Sequence, residues 1–240
     1  MRALLAWSSG KDSAWSLHVL RRQGDVEVVG LLTTVNEAFD RVAMHAVRRE
    51  LLEAQARAAG LPLRAVPIPY PCPNEVYEAA MASALAEARA AGIEAVAFGD
   101  LFLEDVRRYR EERMAPTGLR PLFPLWGRPT RPLAEEMIDG GLHARLSCVD
   151  PRVLDASFAG RTFDRELLAA LPPDVDPCGE RGEFHTFTFD GPMFSRPVPV
   201  TVGEVVTRDG FVFADLLPGT EQRTQSGLTD GEQRTQRGYR

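Results

Sequence analysis

Residues 2–15 read RALLAWSSGKDSAW, and two periodicities meet inside them. Residues 2–8 run through Leu4, Leu5, Ala6 and Trp7 without a polar break, the pattern of a strand buried on both faces. From Asp12 to Arg22 the pattern is that of an amphipathic helix. Between the two stand Ser8, Ser9 and Gly10, and then Lys11, the one lysine in a chain that carries 27 arginines. A strand-to-helix turn with an incidental lysine is the bland account of this stretch. The chemical account starts from the helix N-terminus, which presents unpaired N–H groups and about half a positive charge. Three small residues let the backbone close on an anion, Lys11 adds a mobile cation, and the hydroxyls add donors. Together they describe a phosphate cradle.

Outward from this turn, strand and helix alternate. VEVVGLLTTV (26–35) is a second buried strand, and Met44 to Ala59 carries apolar residues at helical spacing until Gly60 stops it. LPLRAVPI (61–68) is a third strand, and Asn74 caps an Ala-rich helix that ends near Gly92. EAVAFGD (94–100) is a fourth strand, followed by a charged helix at 103–114 and a fifth strand over 119–126. Repeated β-α-β units predict a Rossmann-like parallel sheet with helices on both faces. After Gly127 the character changes. A helix at 131–139 and a strand at 143–149 precede an irregular stretch, PPDVDPCGERGEF (172–184). HTFTF, VPVTVGEVV and FVFADLL then alternate with turn signals such as Asp209-Gly210. The expected organisation is a nucleotide-binding domain over 1–127 and a smaller mixed α/β, mostly β domain over 128–218. A polar tail over 219–240 repeats EQRTQ and is expected to be disordered.

Bulk properties narrow the class. A net charge of -6 over 240 residues argues against a nucleic-acid or membrane-surface binder. Three cysteines without C-x-x-C spacing argue against a disulfide scaffold or structural zinc and for a reduced, cytoplasmic protein. Leu4, Leu5 and Ala6 are too few for a signal-peptide core. No apolar run approaches the ~18–20 residues that span a bilayer.

The loop itself can be sorted. Walker A requires G-x-x-x-x-G-K-[ST], but Leu5 stands at the first glycine and Asp12 follows the lysine; G-x-G-x-x-G is absent as well. SSGKDS (8–13) resembles the S-[GS]-G-x-D-S pyrophosphate loop of the N-type ATP pyrophosphatases, and so implies an adenine nucleotide alpha hydrolase-like fold. Enzymes with that loop split ATP between the α and β phosphates and adenylate an oxygen for displacement by a nitrogen nucleophile. Ser8, Ser9, Gly10, Lys11 and Ser13 would hold the phosphates, Lys11 and Asp12 would act in catalysis, and Asp12 would help position Mg2+, directly or through water.

Two further stretches resemble one subgroup, the diphthine–ammonia ligase family. In FGDLFLEDVRRYREERMAPTGLRPLFPLW (98–126) the matching residues are Gly99, Glu104, Arg107, Glu111 and Leu125-Trp126. Most arginines there fit a solvated helix face; Arg107 is weighted towards substrate binding by its place near the strand end. DPCGERGEFHTFTFDGP (176–192) resembles the family signature N-P-x-G-E-x-G-E-[YF]-E-T through Pro177, Gly179, Glu180, Gly182, Glu183, Phe184 and Thr186. Without the resemblance the latter is also readable as an acidic surface turn. The resemblance implies an ATP-dependent amide-forming ligase that releases AMP and pyrophosphate. Gly99 and Asp100 would line the nucleotide or acceptor cleft. Gly179, Glu180 and Glu183 would bind or orient acceptor and ammonium, with the two glutamates counted as catalytic. His185 would be a substrate-side group and a candidate general base, and His45 a group near the nucleotide or simply a surface histidine.

Two departures stand on the acceptor side: Asp100 replaces a small residue, and His185 replaces a glutamate. Together with an Arg-rich, Lys-poor composition like that of a GC-rich bacterial genome, they predict a different small-molecule or protein carboxylate acceptor. In the family the acceptor is diphthine on elongation factor 2. The competing reading is a non-catalytic ATP/AMP sensor, which would not need a second acidic loop. A third, tRNA thiolation or lysidine-type modification, lacks a Cys pair and a positive charge balance. A homo-oligomer is left open.

Overall fold

A computed structural model describes residues 1–42 and 47–219. His45 and the EQRTQ repeats lie outside the described residues. The first sheet contains β1 (Arg2–Ala6), β2 (Glu27–Asn36), β3 (Arg41–Val42), β4 (Leu63–Ile68), β5 (Ala95–Ala97) and β6 (Arg120–Leu122). β2 lies between β1 and β4, β1 between β2 and β5, and β5 beside β6, all parallel; only the two-residue β3 joins β2 antiparallel. Helices α1 (Lys11–Gln23), α2 (Arg49–Ala59), α3 (Asn74–Ala90) and α4 (Glu104–Met114) fill the crossovers.

Strand alternation divides the core. Leu5 and Leu31 join one apolar cluster with Trp7, Leu17 and Leu51, while Leu4 and Leu32 join another with Val66, Leu85 and Phe98. Adjacent leucines on one strand thus face opposite layers of helices, which explains the unbroken apolar runs. The expected fifth strand over 119–126 contracts to Arg120–Leu122. Pro121 removes one ladder donor and Pro124 a second, so the chain leaves the sheet. α1 starts at Lys11 on an extended Gly10 and ends at left-handed Gly24, whose N–H bonds the Leu20 carbonyl.

The second sheet is antiparallel and contains β7 (His143–Val149), β8 (Phe184–Asp190), β9 (Val200–Arg208) and β10 (Phe211–Pro218), in the order β8-β7-β10-β9. α5 (Thr130–Asp139) and α6 (Arg165–Ala170) accompany it. The β9–β10 hairpin turns at Asp209-Gly210, both at positive φ, as the Asp-Gly signal requires. Leu146, Phe163, Phe184, Phe187 and Leu216 belong to the same cluster as Leu5 and Trp7, so the two sheets share one core.

The topology fixes where a ligand can sit. From β1 the chain steps outward through β2 to β4, then returns to β5 on the other side of β1. Strand order therefore reverses between β1 and β5, and the crevice beyond their carboxyl ends is the binding position of such sheets.

Candidate active site

A cavity of about 470 Å3 opens at that crevice, within the ~300–1,000 Å3 typical of small-molecule sites. Its floor is Ser8, Lys11, Asp12 and Ser13 at the β1–α1 turn, one wall is Gly99 and Asp100 after β5, and its cover is Cys178–Glu180 and Phe184–Thr186.

The β1–α1 turn is tied to the second sheet. Lys11 N donates to Thr186 Oγ1 at 3.0 Å, and Thr188 N donates to the Ser9 carbonyl at 2.9 Å. Buried Gln55 on α2 completes the tie: its Nε2 donates to Ser9 O at 3.0 Å and Thr188 O at 2.6 Å, and its Oε1 accepts from Trp7 Nε1 at 2.9 Å. Ser9 is held at φ 71, left-handed backbone that a serine rarely adopts. Its side chain is buried behind the loop, so Ser9 and Gly10 shape the turn without lining the cavity. Gly99 allows the closest approach: a Cβ there would stand 3.0 Å from the backbone of Asp12 and Ser13.

Lys11 is 2% exposed. Its ammonium donates to both Asp12 carboxylate oxygens at 3.0 and 2.8 Å and to the Cys178 carbonyl, and lies 5.6 Å from the ring centroids of Phe163 and Phe184. Burial, the largest single influence, pushes its pKa down, but Asp12, Cys178 and Glu180 together outweigh it; the net shift is upward and Lys11 stays a cation.

The covering loop is held by its own carboxylates. Asp176 Oδ1 accepts from the N–H of Cys178 and Glu180, and its Oδ2 accepts from Thr130 Oγ1. Glu183 is buried, and its two oxygens accept from Asp176 N at 3.0 Å and Arg181 N at 2.9 Å. Gly179, at φ 68, has room for no Cβ, which would stand 2.7 Å from Phe184 O. Among the described residues the one glutamate directed into the cavity is Glu180, which accepts from Leu101 N at 2.7 Å and so clasps the covering loop to the turn after β5. Burial raises the Glu180 pKa to about 7, with Asp12 adding to the shift and the Leu101 N–H opposing it. His185 also lines the cavity; burial, and then Lys11, lower it to about 4, so at neutral pH it is an uncharged imidazole and a weak base.

Of the residues singled out in the sequence, Ser8, Lys11, Asp12, Ser13, Gly99, Asp100, Gly179, Glu180 and His185 meet around this cavity. Arg107 does not. Its guanidinium lies over Phe123 and Trp126 at 5.0 and 4.7 Å and pairs with Glu111 at 2.8 Å. Arg110, one turn later on α4, takes the cavity position: it lies over Phe98 at 4.9 Å and approaches Asp100 at 3.4 Å. Burial raises the Asp100 pKa against the pull of Arg110. Sequence reasoning gave no site role to Arg110, Asp176 or Gln55, and named Thr186 only as a match to the signature. The i, i+3 spacing from Arg107 was the available signal for Arg110; nothing local marks Gln55.

No group of three or more His, Cys, Asp or Glu residues that could hold a metal occurs among the described residues. Asp12, Asp100 and Glu180 instead present single carboxylates around the cavity. That donor set fits a Mg2+ brought by a phosphate ligand, which needs one or two carboxylates and keeps its waters.

A family model described as the diphthamide synthase N-terminal domain matches residues 1–121, and one described as the diphthamide synthase C-terminal domain matches residues 129–213. A diphthine–ammonia ligase from Bos taurus is 28% identical over 238 residues, covering 90% of this chain and 89% of that protein. The diphthine–ammonia ligases of Homo sapiens and Danio rerio are 34% and 36% identical over 130 and 131 residues, about half of this chain and about half of each of those proteins. Both halves of the cavity, the β1–α1 turn and the covering loop, fall within the matched segments, and the chain belongs to the diphthamide synthase family, that of the diphthine–ammonia ligases.

Proposed function

We propose that this chain is an ATP-dependent amide-forming ligase that adenylates a carboxylate and lets ammonia displace AMP. The observation that carries this reading is the convergence on one cavity of a buried lysine cation at a helix N-terminus and a carboxyl group with a pKa of about 7. The acceptor carboxylate oxygen attacks the α-phosphorus of ATP, and the bond to the β-phosphate bridging oxygen breaks. Lys11 and the amides at the start of α1 meet the charge that develops on the departing pyrophosphate. Ser8 and Ser13 add hydroxyl donors; Ser9 and Gly10 act by shaping the turn. Asp12 would hold a Mg2+ arriving with the nucleotide, and that ion would supply further charge neutralisation.

In the second half-reaction nitrogen attacks the acyl carbon and AMP leaves with the bond's electron pair. Ammonium must first lose a proton, and Glu180 is the group suited to take it, with a pKa close to the operating pH. His185, a much weaker base, orients the acceptor. Glu183 and Asp176 position Glu180 through the loop backbone. Arg107 supports the α4 surface and does not touch substrate. Three cysteines that are all free support a reducing compartment, the cytoplasm. No described helix is long and apolar enough to cross a membrane. A pure sensor has no use for Glu180, and the ligase names of the relatives weigh against that alternative.

Separation of nucleotide products after incubation with Mg-ATP, ammonium and a metabolite extract tests the reading. AMP and pyrophosphate are expected, and both disappear with Lys11→Ala. ADP and phosphate would reject it.

A further inference from the structure

Beside the main cavity lies a second chamber of about 280 Å3, and His185 and Val42 line both. One wall is a row across the second sheet: His185 pairs with Cys148, and Cys148 with Phe213, so the three side chains share a face. Phe211 extends this wall, and the other wall comes from Phe39 and Tyr70. The last two are 49% and 56% exposed, with ring centroids 4.9 Å apart, although neither packs into the core. Large aromatic rings held together in solvent at the mouth of a chamber leave a flat apolar surface for a ligand.

Two arginines, Arg41 and Arg208, line the chamber. Arg208, at the end of β9, holds its guanidinium 5.8 Å from the Phe39 centroid and 5.1 Å from that of Phe213, and has no ion-pair partner among the described residues. Arg41, on the opposite wall, pairs with Asp215, as does Arg48. Among the described residues Asp209 is the one carboxylate in the lining. Arg208 already stands over two of the chamber's rings, Phe39 and Phe213, and Arg152 over a third, Phe211, and a cation on those rings would be repelled.

We propose that this chamber is the acceptor subsite, and that it selects a small acceptor carrying a second anionic group beside a flat apolar one. The proposal rests on the ligase reading of the main cavity and adds its substrate class. The apolar part lies between Phe39, Tyr70 and Phe211, the second anion meets Arg208, and the carboxylate to be amidated passes His185 towards Glu180. One contiguous path therefore joins the recognition group to the reacting group, and the departure at His185 stands at the junction.

The test uses the full chain with saturating Mg-ATP, so that the phosphate loop is filled, and no ammonium. Binding of benzoate, phthalate, phenyl phosphate and benzylamine is measured by saturation-transfer NMR and calorimetry. Phthalate or phenyl phosphate is expected to bind best, their ratio telling a carboxylate from a phosphate partner. Arg208→Gln is expected to weaken that binding at least tenfold, Arg208→Lys to recover part of it, and ATP affinity to stay unchanged in both. Arg208 is exposed, so neither change threatens folding. Benzylamine binding best, no anion binding, or anion affinity indifferent to Arg208→Gln would overturn the proposal. The ligase reading fails on a separate result, the absence of AMP and pyrophosphate from the extract assay, which leaves the binding outcome intact.

Discussion

Residues 8–13 and residues 176–183 are both short acidic or basic loops rich in small residues, yet they hold their shapes by opposite means. The first is held from outside: Thr186, Thr188 and Gln55 reach it across the sequence, Gln55 bonding a residue 133 positions away. Its own charged side chains, Lys11 and Asp12, stay at the cavity. The second is held from inside: Asp176 and Glu183 close on its own backbone N–H groups, and of its three carboxylates only Glu180 faces the cavity. A charge therefore has a different meaning in each loop. In the first, charged residues line the site; in the second, two of three carboxylates are structural, although the sequence presents Glu180 and Glu183 as equals.

The comparison can be broken most directly at its two ends. Glu180→Gln should lower turnover by ~10²–10⁴, the range for a lost general base, with ATP affinity unchanged. Lys11→Ala should lower pyrophosphate release by ~10²–10³, the loss expected for one donor to developing charge. Glu183→Gln should behave differently from Glu180→Gln. It replaces one of two buried acceptors by a donor that faces an N–H, costing about 1–3 kcal/mol in stability seen by denaturant unfolding, with activity following the folded fraction. A stable but inactive Glu183→Gln protein would erase the distinction between the two glutamates.

The pH dependence sharpens the same contrast. Glu180 acts as a base only when ionised, so turnover should rise through about pH 7 and lose that limb in Glu180→Gln. Folded Glu180 keeps its proton to about 7, whereas an unfolded glutamate releases it near 4.5. Between those values the folded state binds more protons, and this side chain's contribution to stability declines as pH rises. At pH 8 Glu180→Gln should therefore melt no lower than the native chain. For the first loop, Gln55→Leu strands Trp7 Nε1 and removes a donor from the Ser9 and Thr188 carbonyls, and should cost about 1–3 kcal/mol while raising the KM for ATP. The smallest effect belongs to Arg107→Ala: about 0.5–1 kcal/mol from its contacts with Phe123 and Trp126, and no change in KM.

Much of this was legible where the determinants are local. β1, the start of α1 and the phosphate turn follow from fourteen consecutive residues, because strand burial, helix spacing and small-residue turns act over a few positions. Asp209-Gly210 announced its hairpin for the same reason. The order of the second sheet was not legible: β7 pairs with β10 across more than sixty residues, and pairing at that separation leaves no periodic trace. Gln55 looked like any polar residue on a helix face, since its partners lie just after β1, in the turn and on β8. Glu183 and Glu180 differ only in which way a glycine-bearing loop turns them. Pro121 and Pro124 did carry a visible signal against a long fifth strand.

Pyrophosphate–ATP exchange tests the central claim most directly. The full chain is incubated with ATP, labelled pyrophosphate and an acceptor-containing metabolite extract freed of ammonium. Reversible adenylation before amide formation should return label to ATP without ammonium, dependent on the extract and abolished by Lys11→Ala. Label returning from phosphate and ADP instead, or no exchange while ATP is being consumed, would contradict it.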